Sequence, residues 1–142
     1  MDLYEQLIEM ELTIFEHLAV IPQFPVLFDE NDKPWTEGRR ITWSAYPDFL
    51  ALDIQKHFAY VVEVSKSLQS FKPGVLAERM IENRARIERY VKWFAPGFDV
   101  RWRFFVRSTH AGALRKKLLA QTPEPEVRTI EEAFDKIKSV MP

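Results

Sequence analysis

The chain contains no cysteine among its 142 residues, which excludes disulfides and thiolate metal sites and makes a reducing compartment the natural expectation. Histidine is scarce, with 3 copies, and no two are spaced as ligands of one ion. His17 and His57 read as surface residues. Any bound metal would therefore be held mainly by oxygen, which favours a hard ion such as magnesium or manganese. Glycine is also scarce, with 4 copies, so there is no glycine-rich loop to cradle a nucleotide. No apolar run approaches the roughly 20 residues of a membrane span. The opening MDLYEQ is acidic where a secretory signal is basic, so a cytoplasmic protein is expected.

Against these absences, 46% of residues are hydrophobic, enough for a packed core in a single domain over 1–142. The net charge of −1 conceals an asymmetry: residues 1–65 carry 12 acidic and 4 basic side chains, while residues 66–118 carry 13 basic and 4 acidic ones. Two such halves attract one another or a second subunit, or they set an acidic metal site beside a phosphate-binding face.

Hydrophobic spacing predicts a helix over 2–19, with Asp2 as its N-cap and Pro22 and Pro25 beyond its end. Residues 26–40 read as a hairpin or a loop. ITWSAYPDFLALDI, 41–54, is rich in strand formers, with a break at Pro47. FAYVVEVS, 58–65, is nearly continuous apolar sequence, as suits a central strand buried on both faces. A second helix is expected over 73–94. DVRWRFFVR, 99–107, alternates, with Val100, Trp102, Phe104 and Val106 on one face and Arg101, Arg103 and Arg107 on the other. A short basic helix over 111–120 and a last helix over 130–140, capped by Thr129 and Glu132, complete an α/β chain with a small mixed sheet flanked by helices.

Three acids break the core pattern. Glu63 sits between Val62 and Val64, and a carboxylate there loses hydration unless a cation compensates it or the strand face is exposed. Asp48 opens the strand FLALDI. Glu11 has Leu7, Ile8, Ile14 and Phe15 at helical neighbour positions, so it lies within the apolar stripe of the first helix. It either joins Asp48 and Glu63 in an oxygen-rich cluster or pairs with a basic side chain. Glu5, Glu9 and Glu16 read as the polar face of that helix. The basic half supplies Arg86, Arg89, Arg101, Arg103 and Arg107 as candidate contacts to nucleic-acid phosphates. The arginines of strand 99–107 are also candidate partners for the buried acids.

The segments YPDFLALDI, 46–54, and YVVEVSKS, 60–67, resemble the two core strands of the PD-(D/E)XK, or restriction-endonuclease-like, nuclease superfamily. The resemblance implies a core of helix, three strands, helix and strand over about 1–107, with helices in 108–142. It implies that Asp48 and Glu63 bind Mg2+ or Mn2+ together with the Val64 carbonyl, that Glu11 assists from the first helix, and that DNA is the substrate. It also implies a lysine two places after Glu63. Here Ser65 holds that position and Lys66 follows one place later. In a regular strand Ser65 shares the face of Glu63 and Lys66 points away, so Lys66 reaches the site only through a bulge or an early strand end. Three readings remain open: a metal-dependent deoxyribonuclease, working alone or as a homodimer or within a larger assembly; a catalytically inactive domain of that fold that binds nucleic acid or protein; and a structural or interaction protein of an unrelated α/β fold, its acids exposed or paired with arginines.

Overall fold

The computed structural model describes residues 2–65 and 73–141. Helix α1 (Leu3–Met10) starts with a reciprocal capping box, in which the Asp2 carboxylate accepts the Glu5 N–H and Glu5 accepts the Asp2 N–H. The helix is shorter than its apolar spacing suggests. It widens into a π-helical turn over Glu11–Phe15, and His17 reverses the chain at a positive φ of 57°. Strand β1 (Ala19–Pro22) follows at once, so residues read as the last helical turn belong to a turn and a strand. The apolar spacing misleads here because Leu18 faces the same core as α1 but reaches it from a turn.

Strands β2 (Val26–Asp29) and β3 (Ile41–Ala45) form a separate antiparallel pair. The main sheet also holds β4 (Phe49–Asp53), β5 (Phe58–Val64), β6 (Asp99–Val106) and β7 (Glu126–Thr129), in the order β1-β4-β5-β6-β7. The β1–β4 and β4–β5 ladders are antiparallel, and β5–β6 and β6–β7 are parallel. The central position of β5 agrees with its unbroken apolar sequence. Strand β7 lies between the last two expected helices, where the sequence predicts no strand; four residues with two charges give too little alternation to mark one.

Helix α2 (Pro73–Phe94) spans the residues its spacing predicts, and α3 (Ser108–Leu118) and α4 (Ile130–Val140) complete the chain. One face of the sheet, bearing Leu50, Val61, Trp102 and Phe104, packs with residues of α2, α3 and the β2–β3 pair. The other, bearing Ala51, Val62, Val64 and Phe105, packs with residues of α1 and α4. The β2–β3 pair is fastened to α2 by Phe28 against Tyr90, ring centroids 5.8 Å apart, and by Arg86 and Arg89, whose guanidinium carbons lie 4.8 Å from the Trp43 and Phe28 rings respectively.

A buried cation crosses the second layer. Arg103 is 2% exposed and projects from β6 over the Tyr60 ring, 4.1 Å from its centroid. Its guanidinium donates to Glu16, just after the π-helical turn, at 2.9 Å and to Glu126 of β7 at 3.1 Å. Arg128 bonds the same Glu16 at 3.1 Å. Burial pushes the Tyr60 hydroxyl above its ordinary pKa, with Arg103 opposing that rise. Glu16 is thus the acid that neutralises the buried strand arginine, not a member of a passive polar face. Replacing Arg103 by Ala empties a buried position and leaves Arg128 as the remaining cation on Glu16 and Glu126, so it should cost about 2 to 3 kcal/mol in urea unfolding, whereas Arg101→Ala should cost less than about 0.5 kcal/mol.

Glu131 closes the junction between β6 and α3. Its carboxylate accepts the Ser108 N–H at 3.1 Å, the Ser108 Oγ–H at 2.8 Å and the Arg107 Nε–H at 3.3 Å. Partial burial alone would raise its pKa, but the bonds from Ser108 and Arg107 together hold it below the ordinary value. A depressed folded-state pKa contributes stability that is present above the unfolded value and disappears as pH falls through the folded one. Glu131→Gln should therefore lose up to about 1 kcal/mol at neutral pH, a modest amount for a partly exposed group at a helix N-terminus. Wild type and variant should converge in urea titrations as pH falls through the lowered folded-state pKa and the glutamate becomes protonated.

Candidate functional site

The site forms where the β4–β5 ladder ends. That ladder pairs Phe49 with Val62 and runs to Asp53 with Phe58. One step beyond Phe49–Val62, the same register sets Asp48 opposite Glu63, and a second step sets Pro47 opposite Val64. Proline has no N–H, so the ladder cannot continue normally at that step. The Asp48 carboxylate substitutes: its Oδ2 accepts the Val64 N–H at 2.7 Å. The N–H and C=O of one strand residue point to the same edge. The Val64 carbonyl therefore faces the β4 edge, where Pro47 has no donor to offer. The segment after β1 holds the other side, with Gln23 N–H on the Asp48 carbonyl at 2.7 Å and Phe24 N–H on the Pro47 carbonyl at 3.1 Å. The Pro-Asp pair thus ends a ladder and fixes a carboxylate at its end.

The two-residue period of β5 puts Glu63 on the face of Val61, in the core layer under α2. Asp48 lies in the bend just before β4, with its carboxylate turned to the β5 backbone. Both acids are half-buried. Glu63 lies in a cleft of about 250 Å3 whose floor includes Trp102 and Phe104. One wall is the run Ser44 to Pro47, and the other is α2, with Arg79 and Asn83. Ser65 also belongs here: its N–H donates to the Phe105 carbonyl at 2.9 Å, so β5 keeps its period and Ser65 shares the face of Glu63. Lys66 lies outside the described residues.

Glu11 does not join this pair. It lies on the opposite side of the sheet, where its Oε1 takes a hydrogen bond from Lys136 of α4 at 2.7 Å and an ion-pair contact from Arg128 at 3.9 Å. Its Oε2 is buried and has no hydrogen-bond partner. The apolar neighbours of Glu11 correctly mark it as buried. They do not reveal which sheet face α1 covers, and that face is the one Glu63 turns away from. Among the described residues no group of three or more His, Asp or Glu side chains is placed to hold a metal ion.

The candidate phosphate-binding arginines divide in the same way. Arg103 is buried in its ion pairs and cannot present a surface to nucleic acid. Strand alternation placed it correctly on a face but did not show that α1 and α4 cover that face. Arg107 is on the same side, bonded to Glu131 and, at 3.1 Å, to the Tyr4 hydroxyl. Arg101 pairs with Asp99 at 2.6 Å and lies over Phe58. Arg86 and Arg89 are on the α2 side, both facing Asp32, at 3.6 and 3.0 Å. No strand arginine neutralises Glu63 in the way the alternation of β6 allowed, because all three point away from it. The cleft-lining residues without a sequence signal of their own are Tyr46 and Asn83. Asn83 lies one helical turn after Arg79 and nearly one before Arg86, a polar stripe that marks the side of α2 facing the cleft.

No family model, curated protein or solved structure matches this chain. Among the described residues, no helix is long and apolar enough to cross a membrane.

Asp48→Ala removes the acceptor of the Val64 N–H and should destabilise the protein by about 1 to 2 kcal/mol. Asp48→Asn retains an acceptor oxygen for the Val64 N–H, so it should lose less stability in urea unfolding than Asp48→Ala.

Proposed function

We propose that the protein is a metal-dependent, restriction-endonuclease-like nuclease that hydrolyses phosphodiester bonds of DNA in the cytoplasm, alone or as a homodimer or part of a larger assembly. The observation that carries this reading is the end of the β4–β5 ladder, where the Asp48 carboxylate is held by the Val64 N–H at 2.7 Å, one residue along β5 from Glu63, which lines the cleft. The order of elements supports it. With the β2–β3 pair set aside, the chain runs α1, three antiparallel strands (β1, β4, β5), α2 and then β6 parallel to β5. That order agrees with the helix, three strands, helix and strand that the resemblance to the PD-(D/E)XK superfamily implies.

The donor set fits magnesium or manganese. Two carboxylates and a carbonyl are hard oxygen ligands, and magnesium commonly uses one or two carboxylates, with water and substrate phosphate completing its octahedron. Such an ion, when bound, lowers the pKa of a coordinated water and offsets charge developing on phosphate. The chain's own residues have separable roles. Val64 N–H orients Asp48 by holding Oδ2. Glu63 supplies the second carboxylate from the cleft floor. The Ser65 hydroxyl, on the same face, is a hydrogen-bond donor for a phosphate oxygen, and Arg79 on the α2 wall supplies a cation.

One observation favours the second reading, a non-catalytic binding domain of this fold. Ser65 remains in the β5–β6 ladder, so the position facing the site where a lysine is expected carries a hydroxyl. Incubation of plasmid and single-stranded DNA with magnesium or manganese, against an EDTA control, separates the two. The nuclease reading expects metal-dependent cleavage that falls at least about 100-fold in both Asp48→Asn and Glu63→Gln, as loss of a ligand at a catalytic ion entails. Absent cleavage with salt-sensitive DNA binding retained selects the binding domain.

A further inference from the structure

The cleft at Glu63 does not end at its own walls. Asn83 lines it and also lines a second hollow of about 470 Å3, formed by α2 and the β2–β3 pair around Arg86, Arg89 and Trp43. Arg79, Asn83 and Arg86 recur at helical spacing along one side of α2 and lead from Glu63 into this hollow. At the other end, Tyr46 stands on the rim of the cleft, two residues before Asp48, with 62% of its surface exposed. A large aromatic side chain held open beside a half-buried carboxylate is a platform for a flat ligand group.

Access to the bases selects among nucleic acids. Glu63 lines a cleft of about 250 Å3 together with the run Ser44 to Pro47 and residues of α2. A duplex, whose base faces are already stacked on one another, cannot lay a base on Tyr46. A single strand can, with its backbone along the Arg79–Asn83–Arg86 stripe and a base stacked on Tyr46. Resting on the nuclease reading for the class of ligand, we propose that this continuous groove binds single-stranded DNA, so that the substrate is a single strand, an end or a flap in preference to an intact duplex.

The groove also contains acids, Glu82 and Asp32. Asp32 bridges Arg86 and Arg89 and thus occupies the cations that a phosphate would engage. It sits at a positive φ of 56°, which asparagine accepts readily, so Asp32→Asn removes the charge paired with both guanidiniums at little backbone cost, while Arg89 keeps its bond to the residue 32 carbonyl at 3.0 Å.

Binding in EDTA separates the groove from cleavage. Fluorescence anisotropy with a labelled single-stranded oligonucleotide and its matching duplex should show the single strand bound at least about tenfold more tightly. Tyr46→Ala should weaken single-strand binding about tenfold, the range for loss of one stacking platform. Arg79→Gln should weaken it and reduce the slope of log K against log salt by about 0.7, as for one lost phosphate contact on a single strand. Asp32→Asn should tighten it. All three side chains are exposed, and circular dichroism of each variant checks that the fold is kept. Equal or tighter duplex binding, absence of binding to either DNA, or single-strand binding indifferent to Tyr46→Ala and Arg79→Gln overturns the groove. Metal-dependent cleavage surviving those outcomes leaves the nuclease reading in place. The expected binding pattern without any cleavage leaves the groove in place and overturns the nuclease reading.

Discussion

The two-residue period of β5 governs the arrangement of this protein. The strand lies between an antiparallel neighbour and a parallel one and is covered by helices on both sides, so each side chain is committed to one of two separate layers. Val62 and Val64 face α1 and α4; Val61 and Glu63 face α2. A one-residue slip would move Glu63 into the layer already occupied by Tyr60, Arg103 and the Glu11–Lys136 pair. The register is therefore fixed by burial on both faces, and the position of the acid follows from it.

The two layers handle charge differently. Under α1 and α4, buried ions are matched within the protein: Arg103 with Glu16 and Glu126, and Glu11 with Lys136. Such a network joins the first helical segment, β6, β7 and α4 through contacts that fail together if one member is lost. Under α2, Asp48 is bonded at the end of a ladder and Glu63 lines a cleft. The first arrangement is that of a tie inside the fold, and the second sets a carboxylate at the edge of a hollow. The Pro-Asp pair is the device that separates them. Proline stops the ladder, and the next side chain takes the hydrogen bond that the ladder would have used.

The β2–β3 pair gives the site its shape. Without it Glu63 would lie on a face walled by α2 alone. Its attachment relies on aromatic edges and on Arg86 and Arg89 over Phe28 and Trp43. The same arginines then look outward to Asp32, so residues that fasten the wall also contribute cations to the groove beside it.

Much of the architecture was legible in the residues themselves. The span of α2, the central place of β5, the alternation of β6 and the cap of α4 all follow from local periodicity and end signals, which depend on nearest neighbours in the chain. The same local rules identified Glu11, Asp48 and Glu63 as acids at odds with an apolar setting. They could not say which face each element covers, because both faces of the sheet are buried and an apolar pattern is the same whichever helix lies on it. Tertiary packing alone decided that Glu11 turns to Lys136, that Arg103 belongs to Glu16 and Glu126, and that Glu63 lines a cleft under α2. Strand β7 and the early end of α1 were hidden for a related reason. Four-residue strands and π-helical turns are stabilised by what they pack against, and their own sequences carry little trace of it.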